Sequence, residues 1–383
     1  MSLPLHTHAG VRGVEDVSLY KILTLDEARR GAYAPQEVLL WNDPAPGFAG
    51  VVSAQDGGHP GVSITAPRDP AVIQPGDVVR LRPNSSLVSV LYRRASSANT
   101  LFITERCNSR CLMCSQPPRD DDDSWRMPEL HRLVELVDRT DPWLGMSGGE
   151  PTLLGDDLGT LIDHCLDALP DTRLHILTNG RGFADRDFAE RLANSRGDRV
   201  TWAVPLYGDT ALLHDEVVDA PGAFSETLQG LYELGRLGAD VEIRVVLHKL
   251  TIPRLPQLAS FIYRRLPFVR HVALMGLEPM GYAKTNRDRL WIDPVDYVEP
   301  LADALFHLEH RGLPVSIYNL PLCILPEDLR PFARQSISDW KNNFAPECAP
   351  CPLKSACSGF FASAGPAWRS RAIRPLELLE PAA

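Results

Sequence analysis

The sequence predicts an α/β protein built around a parallel sheet. From TLFIT onward, short apolar runs alternate with amphipathic stretches of roughly 12 to 16 residues. Six of these runs have the pattern of strands: TLFIT, WLGMS, RLHILT, RVTWAVPL, VEIRVVL and HVALMGL. Strands that alternate with helices predict a parallel sheet that is either doubly wound or curved towards a barrel. In both architectures ligands bind beyond the carboxyl ends of the strands.

The first part of the chain, residues 1–97, has a different composition. It is rich in Pro and Gly, and its apolar runs are short. The segment IQPGDVVRLRPNSSLVSVLYR has the pattern of a turn, a strand, a second turn and a second strand. These features predict a small antiparallel β-rich module for docking or packing. At the other end, residues 362–383 are expected to form a poorly packed surface tail.

Composition restricts the class of protein. The chain has 383 residues, of which 44% are hydrophobic and 23% charged, as in soluble globular proteins with more than one domain. Its net charge of -10 argues against binding of a nucleic acid over a wide surface. The sequence shows neither a long apolar run nor a secretory signal, so we expect a cytoplasmic protein without a membrane partner.

Seven of the eight cysteines fall into two groups. One group is Cys107, Cys111 and Cys114, and the other is Cys323, Cys348, Cys351 and Cys357. In a reducing compartment such clusters indicate metal or redox chemistry more often than disulfides. The eighth, Cys165, lies in an apolar helical pattern and is expected to pack in the core.

The first group, with the spacing C-x3-C-x2-C, directly follows the first predicted strand. Structural zinc is normally closed by four ligands, and no fourth Cys or His lies nearby. A thioredoxin-like pair needs no third thiol. Iron–sulfur clusters are held by thiolates, and a cluster with three of them leaves one iron open to a substrate or cofactor.

This loop resembles the signature of the radical SAM superfamily. The resemblance implies that Cys107, Cys111 and Cys114 hold a [4Fe-4S] cluster whose fourth iron chelates S-adenosylmethionine. Reductive cleavage then gives methionine and a 5'-deoxyadenosyl radical that abstracts hydrogen from the substrate. It also implies a partial (β/α)6 TIM-like barrel, which we assign to residues 98–318.

Further motifs at the ends of the predicted strands resemble elements of the same superfamily. SGGEPTLL ends the second strand, HILTNGRG the third, and ALMGLEPMGYA follows the sixth. The resemblance implies that Glu150 contacts the amino group of the methionine moiety. It implies cofactor contacts for the following residues: Gly148, Gly149, Thr178, Asn179, Arg244, Gly276 and Met280. Arg244, on the fifth strand, either faces the cofactor carboxylate or points to a helix outside the barrel.

The fourth strand departs from the pattern of the peptide-modifying branch of the superfamily. Where that branch often has Ser-Leu-Asp-Gly, this chain has Pro205-Leu206-Tyr207-Gly208. Tyr207 is therefore considered only as a pocket residue. His214 and Asp215, which follow, are equally compatible with a role in loop shape and a role in chemistry.

The second group of cysteines supplies four thiolates. On spacing alone, zinc and a fully ligated [4Fe-4S] cluster fit equally well. Resemblance to the C-terminal SPASM or twitch extensions of the peptide-modifying branch favours an auxiliary [4Fe-4S] cluster. We assign this cap to residues 319–361.

The layout of the whole chain resembles the HxsC-type maturases of His-Xaa-Ser peptides. That resemblance implies hydrogen abstraction from a ribosomally made precursor peptide, followed by crosslinking or another modification. The partners expected are this peptide, a flavodoxin- or ferredoxin-like electron donor and a partner maturase. Two alternatives are a radical SAM enzyme for a small molecule or RNA, and a zinc or redox metalloprotein without enzymatic activity.

Overall fold

The computed structural model describes residues 5–55, 60–194, 197–335 and 343–377. Two eight-stranded sheets form its framework. Residues 1–4, 56–59, 336–342 and 378–383, which belong to the assigned N-terminal module, cap and tail, lie outside the described residues.

The first sheet contains the strands up to residue 92. They are β1 (His6–His8), β2 (Gly10–Arg12), β3 (Ser18–Leu23), β4 (Val38–Trp41), β5 (Gly50–Ser53), β6 (Val62–Thr65), β7 (Val78–Leu81) and β8 (Leu87–Tyr92). Their order across the sheet is β1-β8-β7-β3-β4-β5-β6-β2. A short helix, α1 (Leu25–Ala28), follows β3.

The expectation of a purely antiparallel module is wrong. The β7–β8 hairpin is antiparallel as expected, but β3, β4, β5 and β6 pair in parallel. The reason is that these four strands are joined by crossover segments rather than by tight turns. One of these segments contains α1, whose N-cap Thr24 forms a capping box with Glu27.

The second sheet confirms the predicted α/β fold and partial TIM-like barrel. All its strands are parallel and curve into a nearly closed barrel, with β9 and β16 at the two edges. They are β9 (Thr100–Phe102), β10 (Trp143–Ser147), β11 (Arg173–Leu177), β12 (Val200–Pro205), β13 (Asp240–Leu247), β14 (His271–Gly276), β15 (Val315–Tyr318) and β16 (Ala333–Arg334). The six predicted strands are β9 to β14, and the pattern of the sequence did not indicate β15 and β16.

Helices connect the strands of this barrel, and most of them pack against its outside. They are α2 (Arg126–Leu136), α3 (Asp156–Ala168), α4 (Arg186–Ala193), α5 (Ala211–Val218), α6 (Ala223–Arg236), α7 (Leu255–Arg265), α8 (Tyr282–Thr285), α9 (Arg287–Leu290) and α10 (Val298–Glu309). In α3, the buried face includes Leu158, Leu161, Ile162 and Cys165, at helical spacing. The expectation that Cys165 packs in the core is therefore confirmed. Burial of each such side chain stabilises the fold by roughly 1.5–3 kcal/mol.

Strand β13 shows how the barrel separates its two faces. Its residues alternate strictly between buried and half-buried positions. Val241, Ile243 and Val245 belong to the main apolar core together with the helices. Glu242 and Arg244 lie on the opposite face, inside the barrel, where the side chains of β11 and β14 reach them.

The N-terminal sheet packs against the barrel near α2. Lys21 on β3 is fully buried, and its Nζ lies 2.7 Å from Oδ1 of Asp138, just after α2. Arg94 pairs with the same carboxylate at 2.6 Å and with Glu27 at 2.6 Å. The apolar cluster of the barrel also includes Tyr92 from β8.

The C-terminal segment corrects another expectation. Residues 362–377 are packed against the barrel, because Trp368 contacts Trp291 at 5.3 Å between ring centroids and Arg371 pairs with Asp293 and Asp296. Only residues 378–383 of the expected loose tail lie outside the described part. No helix within the described ranges has the length and apolar character needed to cross a membrane.

Candidate active site at the carboxyl ends of the barrel strands

The cysteine loop begins directly after β9 and is tied to the end of β10. The N–H of Gly149 donates to the carbonyl of Thr104 at 2.8 Å, and the N–H of Glu150 donates to that of Arg106 at 2.7 Å. The buried hydroxyl of Thr104 donates to Asp123 at 2.6 Å. These bonds hold the start of the loop at the edge where ligands bind in parallel α/β folds.

Two glycines allow this close contact. Gly148 has φ +153°, and a Cβ there would lie 2.5 Å from the carbonyl oxygen of Thr104. A Cβ at Gly149 would overlap the carbonyl oxygen of Arg106. The backbone that approaches these glycines is therefore that of the chain's own cysteine loop, whereas the sequence suggested a bound ligand.

The carboxylate of Glu150 is buried at the junction of β10 and β11. It accepts hydrogen bonds from the N–H and hydroxyl of Thr152, the hydroxyl of Thr178 at 2.6 Å and the N–H of Asn179 at 2.6 Å. Burial raises its pKa, and these donors act in the opposite direction. Glu150 thus joins the GGE and TNG segments, and three of the four donors lie on Oε1, which leaves Oε2 with a single donor.

The end of β11 clasps the cysteine loop from one side. The side-chain amide of Asn179 donates to Oδ1 of Asn108 at 2.5 Å. Arg181 donates to the carbonyl of Asn108 and to the hydroxyl of Ser109. Sequence reasoning missed Asn108 and Arg181, although the position of Arg181 directly after the TNG element was a usable signal.

The opposite side of the loop is held by α5 and by the segment after β14. The N–H of Leu112 donates to the carbonyl of Val217 at 2.9 Å. The carbonyl of Cys114 accepts from the N–H of Tyr282 at 2.9 Å, and that of Leu112 accepts from the side chain of Asn286 at 2.9 Å. Gly281 has φ +54°, and a Cβ there would overlap the carbonyl oxygen of Cys114.

The three thiols of this loop lie close enough to influence one another. Burial raises the pKa of Cys107 to about 11. Burial also raises the pKa of Cys111 and of Cys114, and the neighbouring thiols add to the effect on Cys111. The guanidinium of Arg181 acts in the opposite direction on Cys107. Three thiolates in this space repel one another, and a cationic iron core would relieve that repulsion, so the donor set fits a cluster.

A site for a single metal ion differs in geometry from the arrangement of these three cysteines. Within the described ranges, no three or more His, Cys, Asp or Glu side chains surround one metal position. In a cubane each thiolate binds a different iron, so its ligands need not converge on one point.

Arg244 points into the barrel, not towards an outer helix. Its guanidinium lies 3.2 Å from Glu242 and 3.1 Å from the sulfur of Met275. Glu242 also lies 2.9 Å from His271 and 3.3 Å from His175. Although burial raises the pKa of Glu242, the histidines and Arg244 outweigh it, and the net pKa lies far below the usual range. The anionic partner of Arg244 in the described structure is thus a neighbour on its own strand.

Gly276 and Met280, two of the expected cofactor contacts, lie at and after the end of β14. A Cβ at Gly276 would lie 2.6 Å from the carbonyl oxygen of Asn319, so this glycine permits close packing against the end of β15. Met280 is exposed. Neither has a described contact with the cysteine loop, in contrast to Glu150 and Asn179.

Tyr207 and two buried histidines line the end of β12 and β13. The ring of Tyr207 lies 5.9 Å from that of His214 and 6.4 Å from that of His248. His214 accepts a hydrogen bond from the N–H of Tyr207 at 3.2 Å, and Asp215 accepts from Gly222 and Phe224 at 2.7 Å each. His214 and Asp215 therefore shape this loop. Burial lowers the pKa of His214 to about 4 and that of His248 to about 3.

The second group of cysteines comes together in the C-terminal segment. Burial raises the pKa of Cys323 and of Cys357, and the charges of neighbouring cysteines, including Cys348 and Cys351, contribute. The sulfur of Cys357 accepts from the N–H groups of Leu322 and Gly359, each at 3.4 Å. All four thiols are half-buried and none forms a disulfide. Within the described ranges these thiols do not surround one metal position, so their arrangement is not that of a zinc site, whereas the ligands of a cluster need not converge on one point.

One family model matches part of the barrel. Residues 101–262 match the model of the radical SAM superfamily. The match includes the three-cysteine loop, the GGE and TNG segments and β13. This region, which is less than half of the chain, is therefore similar to the radical SAM superfamily.

Curated relatives are more distant. A GTP 3',8-cyclase of Nautilia profundicola is 25% identical over 46% of this chain and 55% of its own length. That of Campylobacter curvus is 25% identical over 60% of this chain and 70% of its own. A probable GTP 3',8-cyclase of Methanocella arvoryzae is 29% identical over 37% and 44%. The chain therefore spans about half the length of the first and third of these relatives.

Several solved structures are also similar. SuiB of Streptococcus suis bound to S-adenosylmethionine has 16% identity and a TM-score of 0.42, over 57% of this chain and 46% of SuiB. A radical SAM methyltransferase from Sphaerobacter thermophilus has 17% identity and a TM-score of 0.41, over 63% and 72%. These values do not bear on the substrate of this chain.

Proposed function

We propose that the protein is a radical SAM enzyme that abstracts hydrogen from a ribosomally synthesised peptide and thereby crosslinks or otherwise modifies it. The observation that carries the radical chemistry is the position of Cys107, Cys111 and Cys114. Their loop is clasped by the carboxyl ends of β10 and β11, by α5 and by the segment after β14. Cys107, Cys111 and Cys114 would hold a cluster that, when S-adenosylmethionine is bound, supplies the electron for its cleavage.

The residues around the loop have separate tasks in this proposal. Glu150 fixes the GGE and TNG segments relative to each other, and Oε2, with its single donor, offers the acceptor for the cofactor ammonium group. Arg181 holds the loop at the carbonyl of Asn108 and the hydroxyl of Ser109, and its cation favours the thiolate of Cys107. Thr178, Asn179, Arg244, Gly276 and Met280 stay proposed cofactor contacts.

We assign the second cysteine group to an auxiliary [4Fe-4S] cluster. Four half-buried thiols, of which Cys323 and Cys357 have a pKa raised by burial and by the charges of neighbouring cysteines, fit a closed cluster on chemical grounds. An electron donor of the flavodoxin or ferredoxin kind and a partner maturase complete the proposed system. A cytoplasmic location is also part of the proposal. No helix among the described residues could span a membrane.

A nucleotide substrate is the second candidate, because the curated relatives are GTP 3',8-cyclases. The charges inside the described barrel favour a nucleotide substrate less than a peptide substrate. The cation of Arg244 is already paired with Glu242, whereas a triphosphate requires several unpaired cations or a metal ion.

The experiment compares the two substrates directly. The protein, reconstituted anaerobically with iron and sulfide, is incubated with dithionite, S-adenosylmethionine and either GTP or a synthetic peptide of His-Xaa-Ser repeats. We expect 5'-deoxyadenosine to form faster with the peptide, and the peptide to lose two hydrogen atoms for each crosslink. Turnover of GTP with an unchanged peptide would contradict the peptide assignment.

A further inference from the structure

A groove runs along the free edge of the barrel sheet. It has a volume of about 540 Å³ and lies between β9, α2, the N-terminal sheet and the segment after the cysteine loop. Its lining includes Leu5 and Leu91 from the N-terminal part of the chain and Ser115, Gln116 and Pro117 from the segment after the cysteine loop. That segment directly follows Cys114, so an occupant of the groove would reach the cysteine loop.

The wall formed by β9 carries free backbone groups. The carbonyl of Asn99 and the N–H of Ile103 bond to β10, at 2.9 and 2.7 Å. Because the residues of an edge strand alternate in direction, the N–H and C=O groups of Thr100 and Phe102 point away from β10. No residue in the described part of the chain hydrogen-bonds to these backbone groups. Such an edge is a template for a further strand.

The charges of the groove leave one cation available. Arg80 pairs with Glu129 at 3.0 Å, and Arg126 pairs with Glu105 at 2.7 Å. Arg119 is exposed, and no described acidic side chain pairs with its guanidinium, although its N–H donates to the carbonyl of Glu105. The groove therefore has an excess of one positive charge, which complements an acidic side chain.

Two aromatic rings lie against Arg126, and one of them, that of Phe102, lines the groove. The guanidinium of Arg126 lies 4.9 Å from the ring of Phe102 and 4.5 Å from that of Trp125. Trp125 is 45% exposed, which is unusual for so large an apolar side chain. A strand that adds to β9 would place alternate side chains against these rings and against Arg119.

We propose that the β9 groove, defined by Thr100, Phe102, Gln116, Arg119 and Arg126, binds an extended segment of the substrate peptide as an added strand, with an acidic side chain against Arg119. This inference rests on the proposed function, because it assumes a peptide substrate. It adds the site at which that peptide is recognised and the chemistry of the segment recognised. At about 3.3 Å per residue, the edge of β9 pairs with three to four peptide residues.

A binding experiment with a defined probe tests the groove. A pool of random, end-blocked decapeptides is passed over the immobilised full-length protein, and retained peptides are sequenced by mass spectrometry. We expect retained peptides to be enriched in Asp and Glu at one position, and Arg119→Glu to lower retention of acidic peptides at least about tenfold and to select basic ones. Arg30→Glu, an exposed arginine outside the groove, is the matched control and should retain peptides as the wild type does.

Strand addition itself has a separate readout. Thr100→Pro removes a backbone N–H that points away from β10, so the β9–β10 pairing can persist while one bond to the peptide is lost. Circular dichroism verifies that this variant is folded. We expect lower retention in Thr100→Pro, and slower amide exchange at Phe102 when the wild type holds a retained peptide.

The results separate this inference from the proposed function. Formation of 5'-deoxyadenosine by the reconstituted wild type without selective peptide retention would overturn the groove and leave the radical chemistry intact. Selective retention without 5'-deoxyadenosine would support the groove and contradict the radical chemistry. Equal retention by wild type, Arg119→Glu and Thr100→Pro, or occupation of the groove by a second copy in crosslinking, would also overturn the proposal.

Discussion

Single residues at the strand ends contribute more to the structure than their motifs indicate. The GGE and TNG motifs suggested residues that reach out to a cofactor. In the structure Glu150 also receives four hydrogen bonds from the protein itself and fixes two strand ends. Glu150 therefore affects the chemistry first by holding these two strand ends in position.

Substitution of Glu150 tests this role. Glu150→Gln replaces one acceptor oxygen with an NH2 group that faces donors, so a buried donor is left unsatisfied. We expect the free energy of unfolding to fall by about 1–3 kcal/mol and the formation of 5'-deoxyadenosine to fall with it. Urea titration measures the first effect. Glu216→Gln, at an exposed ion pair, is the control and should change little; equal stability of the two variants would contradict the positional role.

The buried histidines near Tyr207 predict a dependence on pH. His248 has a folded-state pKa of about 3, below that of an unfolded chain at about 6.5, so the unfolded state binds more protons between these values. Stability that is complete above pH 6.5 should therefore decrease as the pH falls towards 3. The free energy of unfolding of His248→Gln should fall less than that of the wild type, by up to about 1.4 kcal/mol per pH unit. Urea titrations of both proteins from pH 7 to 4.5 check this, and parallel curves would refute it.

Some residue positions could be predicted from the sequence and others could not. The order of strands and helices was sufficient to place Cys107, Glu150 and Asn179 at one edge of the sheet, because carboxyl ends of parallel strands meet there. The clasp by Arg181 involves Asn108, 73 positions earlier, and no local pattern encodes that pairing. Glu242, however, is two positions before Arg244 on the same strand face, so strand periodicity could have indicated this partner.

At the scale of elements, the cysteine loop depends on its neighbours for its shape. The segment after β14 approaches Cys114 so closely that Gly281 has no room for a Cβ. The segment after β10 approaches the start of the loop, at Thr104 and Arg106, so closely that Gly148 and Gly149 also have no room for a Cβ. The loop is thus built by three strand ends together.

A pair of glycine variants separates this packing from backbone strain. Gly281 and Gly312 both have positive φ, +54° and +75°, but a Cβ at Gly312 would meet nothing within 4 Å. Gly312→Ala should therefore cost only about 1 kcal/mol of stability. Gly281→Ala should also displace Cys114, lower the iron content by up to about half and lower 5'-deoxyadenosine formation about tenfold or more. Iron analysis after reconstitution measures the difference; similar iron content in the two variants would refute the packing argument.

Elements differ in how clearly the sequence indicates them. The six strands and the long helices of the barrel have strong periodicity and were predictable. β15 was missed because its four residues, VSIY, are a short apolar run without a clear boundary. The parallel pairs of the N-terminal sheet were missed because the direction of a strand depends on its crossover connection, which the strand pattern does not specify.

For the whole molecule, a buried ion pair links the N-terminal sheet to the barrel. Lys21 and Asp138 lie 117 positions apart in the sequence. Their contact was beyond prediction from local pattern. It holds the N-terminal sheet beside the β9 edge, where the proposed peptide groove is formed.

We expect substitutions of Lys21 and of Asp138 to lower the stability by unequal amounts. Asp138→Asn leaves the ammonium of Lys21 buried without an anion, which should cost about 3–5 kcal/mol of stability. Lys21→Met should cost less, because Asp138 keeps its bonds to Arg94 and Tyr33 and the methionine fills an apolar site. Urea unfolding followed by circular dichroism compares them. A larger loss in Lys21→Met would contradict this reading of the interface.

The most direct test of the central claim is the chemistry of the three-cysteine loop. After anaerobic reconstitution, the wild type should bind about eight irons and form 5'-deoxyadenosine with dithionite and S-adenosylmethionine. Cys107→Ala should lose about half of the iron and at least about 99% of the activity, whereas Cys165→Ala, at the core thiol, should keep both. Activity retained in Cys107→Ala, or a wild type that binds zinc and forms no 5'-deoxyadenosine, would contradict the account.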